Sequence, residues 1–211
     1  MDDTKYQETM YEFGILRLIN HDSIERFNQT VLVQTKLFCL SSLDESYSID
    51  YLLKNYHSGV NYNAICFCIK KISDALKYLF KSSVVHRCLN SCNVMVNSSL
   101  EIKLTGFAFA RRIEDPSKVF TKPWAWSLFD FPPHTRDHML TIAPEILLQV
   151  HFSHSQNKNG YDCQSDIFSL GILAAELFMG VNPFDHFHPI LAIDKKLRIY
   201  NDLKTRQLGI I

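Results

Sequence analysis

Residues 167–181, IFSLGILAAELFMGV, form the longest apolar run in the chain, interrupted by the carboxylate of Glu176. A bilayer span needs roughly 18–20 such residues, so this run is too short to cross a membrane. A helix that is apolar on every side must be surrounded by protein instead. The chain therefore has to fold around this segment, and its 211 residues, 46% hydrophobic and 12% aromatic, suffice for one domain with a core. Charge is balanced at 22 basic and 22 acidic residues, so no nucleic-acid or membrane partner is expected from bulk electrostatics. The opening MDDTKYQETMYEF is acidic and polar, unlike a secretory signal. The expected setting is the cytoplasm, with the nucleus as a second compartment.

Cysteines stand at 39, 66, 68, 88, 92 and 163. Cys39, Cys66 and Cys68 lie in apolar runs, where a thiol behaves as a small hydrophobe. With no secretion signal, disulfides are not expected. Cys88 and Cys92 have the wrong spacing for a zinc pair, and no second pair completes them, so no metal is expected there.

Periodicity orders the rest. Met10, Phe13, Leu16 and Ile19 predict a helix over 7–19. Residues 30–34 and 35–43 predict a hairpin. A short helix is predicted over 50–56, and a long amphipathic one over 62–80 with its stripe at 65, 69, 72, 76 and 79. Two small strands flank the Ser98-Ser99 turn. Residues 105–141 show little periodicity, which in a compact domain marks a functional segment. Helices are predicted at 143–150, over the apolar run, and at 190–203.

Five motifs follow in order. EFGILRLINH (12–21) places Glu12 on the first helix. HRCLNSCN (86–93) carries His86, Arg87, Leu89 and Asn93. KLTGFAFA (103–110) contains Gly106-Phe107-Ala108. APE (143–145) ends at Glu145, and SDIFSLGILAAELFMGVNPF (165–184) carries Asp166, Ser169 and Gly171. Order and spacing resemble a protein kinase from its glutamate-bearing helix onward. The resemblance implies an α+β, protein-kinase-like fold over 1–211. Its upper lobe is incomplete (1–42), and its lower lobe (43–211) is mostly helical.

The departures from the pattern shape the expected function. Kinases transfer phosphate by positioning and charge neutralisation. The position of the proton-accepting aspartate is Cys88, that of the phosphate-touching lysine is Asn90, and that of the metal-binding aspartate is Gly106. No glycine-rich loop or strand-borne lysine precedes Glu12, and Lys5 lies too close to it. The chain is thus similar to a pseudokinase, with no catalytic residue and no confident cofactor. The resemblance leaves room for ATP in a full-length form. Glu12 and Asn93 are vestigial nucleotide-site positions, and one amide without an aspartate at 106 is a feeble Mg2+ site.

Among pseudokinases the wording resembles the STRAD adaptors, through LRLINH, VVHRCLNSCNVMV, FDFPP and GYDCQSDIFSLGILAAELFMGVNPF. That resemblance implies an inactive adaptor that binds and activates a serine/threonine kinase together with an armadillo-like scaffold. It also leads one to expect later helices and a scaffold-docking tail beyond Ile211. A divergent ATP-binding kinase and a non-functional truncated isoform are the alternatives. His86, Arg87 and Phe107 are expected to act as scaffolding. Asp166 should brace the loop backbone, and Glu145 stands where kinases pair a glutamate with an arginine of a late helix, which is expected to be missing here. Trp124, Trp126, Phe129 and Phe131 either fold back on the lower lobe or form a partner surface, since aromatics anchor interfaces.

Overall fold

The computed structural model describes residues 14–33, 36–41, 45–56, 60–112, 139–151 and 163–207. Of the first predicted helix, residues 14–18 are helical, with Ile15 and Leu16 buried and Leu18 exposed. Glu12, Met10 and Phe13 lie outside the described residues, as do Trp124, Trp126, Phe129 and Phe131.

The predicted hairpin is present as β1 (Phe27–Val33) and β2 (Lys36–Ser41), antiparallel, with Val31 opposite Phe38. Val31, Val33, Phe38 and Leu40 lie on one exposed face. β3 (Ser46–Ser48) runs into α1 (Ile49–Asn55), whose first turn is capped by Ser48 Oγ accepting from the Tyr51 N–H at 3.1 Å. α2 (Tyr62–Lys81) starts at the cap Asn61 and buries Cys68, Ile72, Ala75, Leu76 and Leu79. Of the predicted stripe, Ile72, Leu76 and Leu79 are buried and Ile65 and Ile69 half-buried, while Cys68 and Ala75 widen the buried face. Cys66 is exposed, contrary to expectation. Two positions apart on a helix point roughly 200° apart, so Cys66 and Cys68 cannot both face the core.

Beyond α2 come β4 (Val84–Val85), β5 (Val94–Asn97), β6 (Ile102–Leu104) and β7 (Arg111–Arg112). β5 and β6 form the expected pair of small strands, and β3 adds to the other side of β5. The turn between β5 and β6 puts Leu100 at φ 60°. β4 pairs antiparallel with β7, Val84 opposite Arg112. No periodicity announces β3, β4 or β7, because strands of two or three residues are too short to show one.

The apolar run becomes α4 (Cys163–Met179), preceded by α3 (Pro144–His151) and followed by α5 (Pro189–Gln207). Leu170, Leu173 and Leu177 pack with Ile72, Ala75, Leu76 and Leu79 of α2 in the main core. Burial is one-sided, which corrects the expectation of a helix enclosed all round. Ile167, Phe178 and Met179 are exposed, Phe178 by 77%. A second cluster joins Ile142, Ala143, Ile146 and Leu147 to Ile193 of α5. Lys196 of α5 is only 2% exposed, and its amine donates to the carbonyls of Met139 at 2.9 Å and Ile142 at 3.1 Å. Among the described residues, no helix is long and apolar enough to cross a membrane. A small antiparallel sheet content beside mostly helical structure makes the fold α+β.

Candidate functional site: a catalytic loop built around Cys88

The loop 86–93 is pinned from below by α4. Asp166, buried in the first turn of that helix, accepts the His86 N–H on Oδ2 at 2.8 Å and the Arg87 N–H on Oδ1 at 2.9 Å. A buried carboxylate needs such donors, and a helix N-terminus favours its charge. The two bonds also hold Arg87 in a left-handed conformation, φ 67°, which a side chain with a Cβ resists by about 1–2 kcal/mol.

His86 is fully buried. Its Nε2 lies 2.9 Å from the Thr105 carbonyl, and its Nδ1 accepts the Cys88 N–H at 3.3 Å. A carbonyl can only accept, so these two bonds together specify the neutral tautomer with the proton on Nε2. Burial pushes the imidazole pKa down to about 4, the Thr105 bond opposing in part. Phe107, 1% exposed, meets this ring edge-on at 4.7 Å between centroids. With both nitrogens engaged, His86 is a strut and has no lone pair left for proton transfer.

Cys88 sits where the loop points inward. Its thiol is 7% exposed, and burial pushes the pKa up to about 12, so it carries a proton at neutral pH. Asn90 shapes the next turn: its Oδ1 accepts from the N–H groups of Cys92 at 3.0 Å and Asn93 at 3.2 Å. Its Nδ2 donates back to the Cys88 carbonyl at 3.2 Å. Asn93 Nδ2 donates to that carbonyl at 2.8 Å and to Cys88 Sγ at 3.3 Å. Gly106 faces Asn93 with φ 78° and ψ 47°, the left-handed region that glycine enters freely.

Glu176 was legible in the sequence only as an interruption of the apolar run, yet it belongs to this site. It is 6% exposed, and Ser91 Oγ donates to its Oε1 at 2.6 Å. A lone acid in an apolar helix signals a donor from elsewhere, because an unbonded buried carboxylate is costly. Beside it opens a cleft of about 140 Å³ walled by Asp50, Lys54, Asn90, Glu176 and Asp185. Its charged groups are already engaged: Lys54 pairs with Asp50 at 2.8 Å, and Glu176 accepts from Ser91. Ser169 Oγ bonds the Thr141 carbonyl at 2.8 Å, fixing the end of the irregular segment on α4. Glu145 is half-buried in α3, and Gly171 lies exposed on α4.

Kinase chemistry implies Mg2+, and the residues present do not fit it. Gly106 supplies no ligand, Cys88 is a protonated thiol, and the one amide oxygen of Asn93, whose Nδ2 is bonded to Cys88, is a feeble Mg2+ ligand alone. Among the described residues, no group of three or more His, Cys, Asp or Glu side chains could hold a metal ion.

A loop pinned by a helix-borne aspartate and followed by a glycine-phenylalanine turn on paired strands is kinase architecture. The family model described as the protein kinase domain matches residues 1–207, and the chain belongs to that family. It is similar to STE20-related kinase adapter protein strd-1 of Caenorhabditis elegans, 26% identical over 197 residues covering 93% of this chain and 47% of that protein. It is equally similar to STE20-related kinase adapter protein alpha of Homo sapiens, 26% over 174 residues, 82% of this chain and 38% of that one. Serine/threonine-protein kinase dst2 of Dictyostelium discoideum is 25% identical over 189 residues, 90% of this chain and 15% of that protein. The chain thus spans less than half the length of these relatives.

Proposed function

We propose that this chain is a pseudokinase adaptor that binds an active serine/threonine kinase and favours its active conformation. The observation that carries the reading is Cys88: a buried, protonated thiol stands at the position from which a kinase accepts the substrate proton. Asn90, in the same loop, and Gly106, just after β6, stand at the positions of the phosphate and metal ligands. Relatives named as kinase adapters support the binding role. Activation by such a partner requires that it bind the active state more tightly than the inactive one. An armadillo-like scaffold as a second partner, a boundary between lobes near residue 42, and a cytoplasmic or nuclear setting are parts of the same proposal.

We place the partner surface on the segment 106–142, with Trp124, Trp126, Phe129 and Phe131 as anchors. Four aromatics offer large contact area, and Pro132-Pro133 lowers the entropy lost on ordering. Trp124→Ala with Phe131→Ala should weaken capture of the partner kinase by more than about 2 kcal/mol, roughly thirtyfold. The thermal midpoint should stay unchanged. Full-strength capture by the folded double variant would remove the segment from the interface, and unfolding would reassign these aromatics to the core.

A second reading, a weak or divergent kinase, draws on relatives such as dst2 that are named as kinases at nearly the same identity. The chain with Mg-ATP and generic substrates should show no phosphate incorporation above background. Incorporation that co-purifies with the chain and disappears in Asn93→Ala would favour the enzyme.

A further inference from the structure

We propose that Asn93 fills the volume a side chain at position 106 would need, so that an aspartate there alone cannot restore the metal site. The proposal deepens the inactive-site reading above and rests on it. A Cβ built on Gly106 would lie 2.5 Å from Asn93 Cγ and Oδ1 and 2.6 Å from its Nδ2, closer than real Cβ atoms approach anything. Asn93 is also tied from both ends. Its side-chain amide donates to the carbonyl and sulfur of Cys88. Its N–H donates to Asn90, and its own carbonyl accepts from the Thr105 N–H at 2.9 Å and Oγ1 at 3.2 Å. Swinging it aside would break the shorter of the two side-chain bonds to the Cys88 carbonyl and the contact to its sulfur.

Backbone strain is only part of the exclusion. A side chain at φ 78° is strained, but aspartate and asparagine tolerate the left-handed region better than most. The other part is a neighbouring side chain held at short range. Asn93 is thus a positioning residue: with its amide and carbonyl it stitches the loop to the Thr105-Gly106 segment, across the gap a cation spans in an active kinase.

A double-mutant cycle tests this, with Gly106→Asp, Asn93→Ala and the two combined, read by thermal unfolding and by Mn2+ binding followed through its EPR signal. Gly106→Asp should lower the midpoint by several degrees and leave millimolar Mn2+ free in solution. The combined variant should stand well above the sum of the two single effects, because alanine at 93 opens the space while leaving the backbone angle unchanged. A Gly106→Asp protein that fails to fold beside a double variant that folds would also support the proposal. Strict additivity, failure of both variants, or tight Mn2+ binding by Gly106→Asp would overturn it. Phosphate transfer by the unaltered chain would sink the inactive-site reading, and the cycle would still report on Asn93.

Discussion

At position 88 a thiol is pushed up to about 12 by burial, with the amides of Asn93 and Asn90 pulling the other way. Cys66, exposed on α2, is its opposite in setting. Brief alkylation of the native protein near neutral pH, followed by peptide mass spectrometry, should label Cys66 and spare Cys88. Unfolding should equalise them. Labelling of Cys88 at the rate of Cys66 would mean that the loop opens readily. His86 gives a second residue-level test. Its folded pKa, about 4, lies below the 6.5 of the unfolded chain, so between those values the unfolded chain binds a proton that the folded one refuses. The stability His86 contributes is full above pH 6.5 and is lost as pH falls towards 4. The urea midpoint should therefore drop from about pH 7 to about pH 5, and drop less in a His86→Phe variant. Equal slopes for the two proteins would refute the buried neutral ring.

Among the elements, those whose signal repeats along the chain were legible in the sequence, and those made by a single distant contact were not. The stripe of α2 is written five times at helical spacing, so the helix and its buried face could both be read. The run in α4 specifies a helix but names no apolar face, because apolar residues lie on every side of it; only packing on α2 leaves Ile167 and Phe178 outside. β4 and β7 are two residues each, and only their pairing across the loop defines them. The site shows the same division. The positions of Cys88, Asn93, Gly106 and Asp166 could be named through motif spacing, while the bond from Ser91 to Glu176 crosses eighty-five positions without a motif. Lys196 carried no signal, standing in DKKLR like any surface lysine, yet it is the clamp between α5 and the segment 139–142. Burial pushes its pKa down to about 7. Lys196→Met, which keeps the length and removes the donors, should destabilise by about 1–3 kcal/mol through the two abandoned carbonyls. A denaturant midpoint equal to the parent's would show that they find other donors.

In the whole molecule, the described residues before 113 and those after 138 are joined through side chains. The core joins α2 to α4, Asp166 holds the backbone of His86 and Arg87, and Glu176 holds Ser91. The feet of the intervening stretch are fastened separately, by the pairing of β7 with β4 on one side and by Ser169 and Lys196 on the other. These contacts form across the stretch independently of one another, and the protein should be divisible within it. Two polypeptides made together in one cell, one ending and the other beginning between Trp126 and Ser127, should assemble and leave an affinity column as a pair. Asp166→Asn in the second piece should loosen that pair, since the amide can accept each backbone N–H only weakly or on one side. Pieces that never meet would show that the intact linkage is needed to bring α4 onto α2. Pieces that do would give a molecule that can be opened at will between Trp126 and Ser127, with its ends free to be tagged, lengthened or replaced.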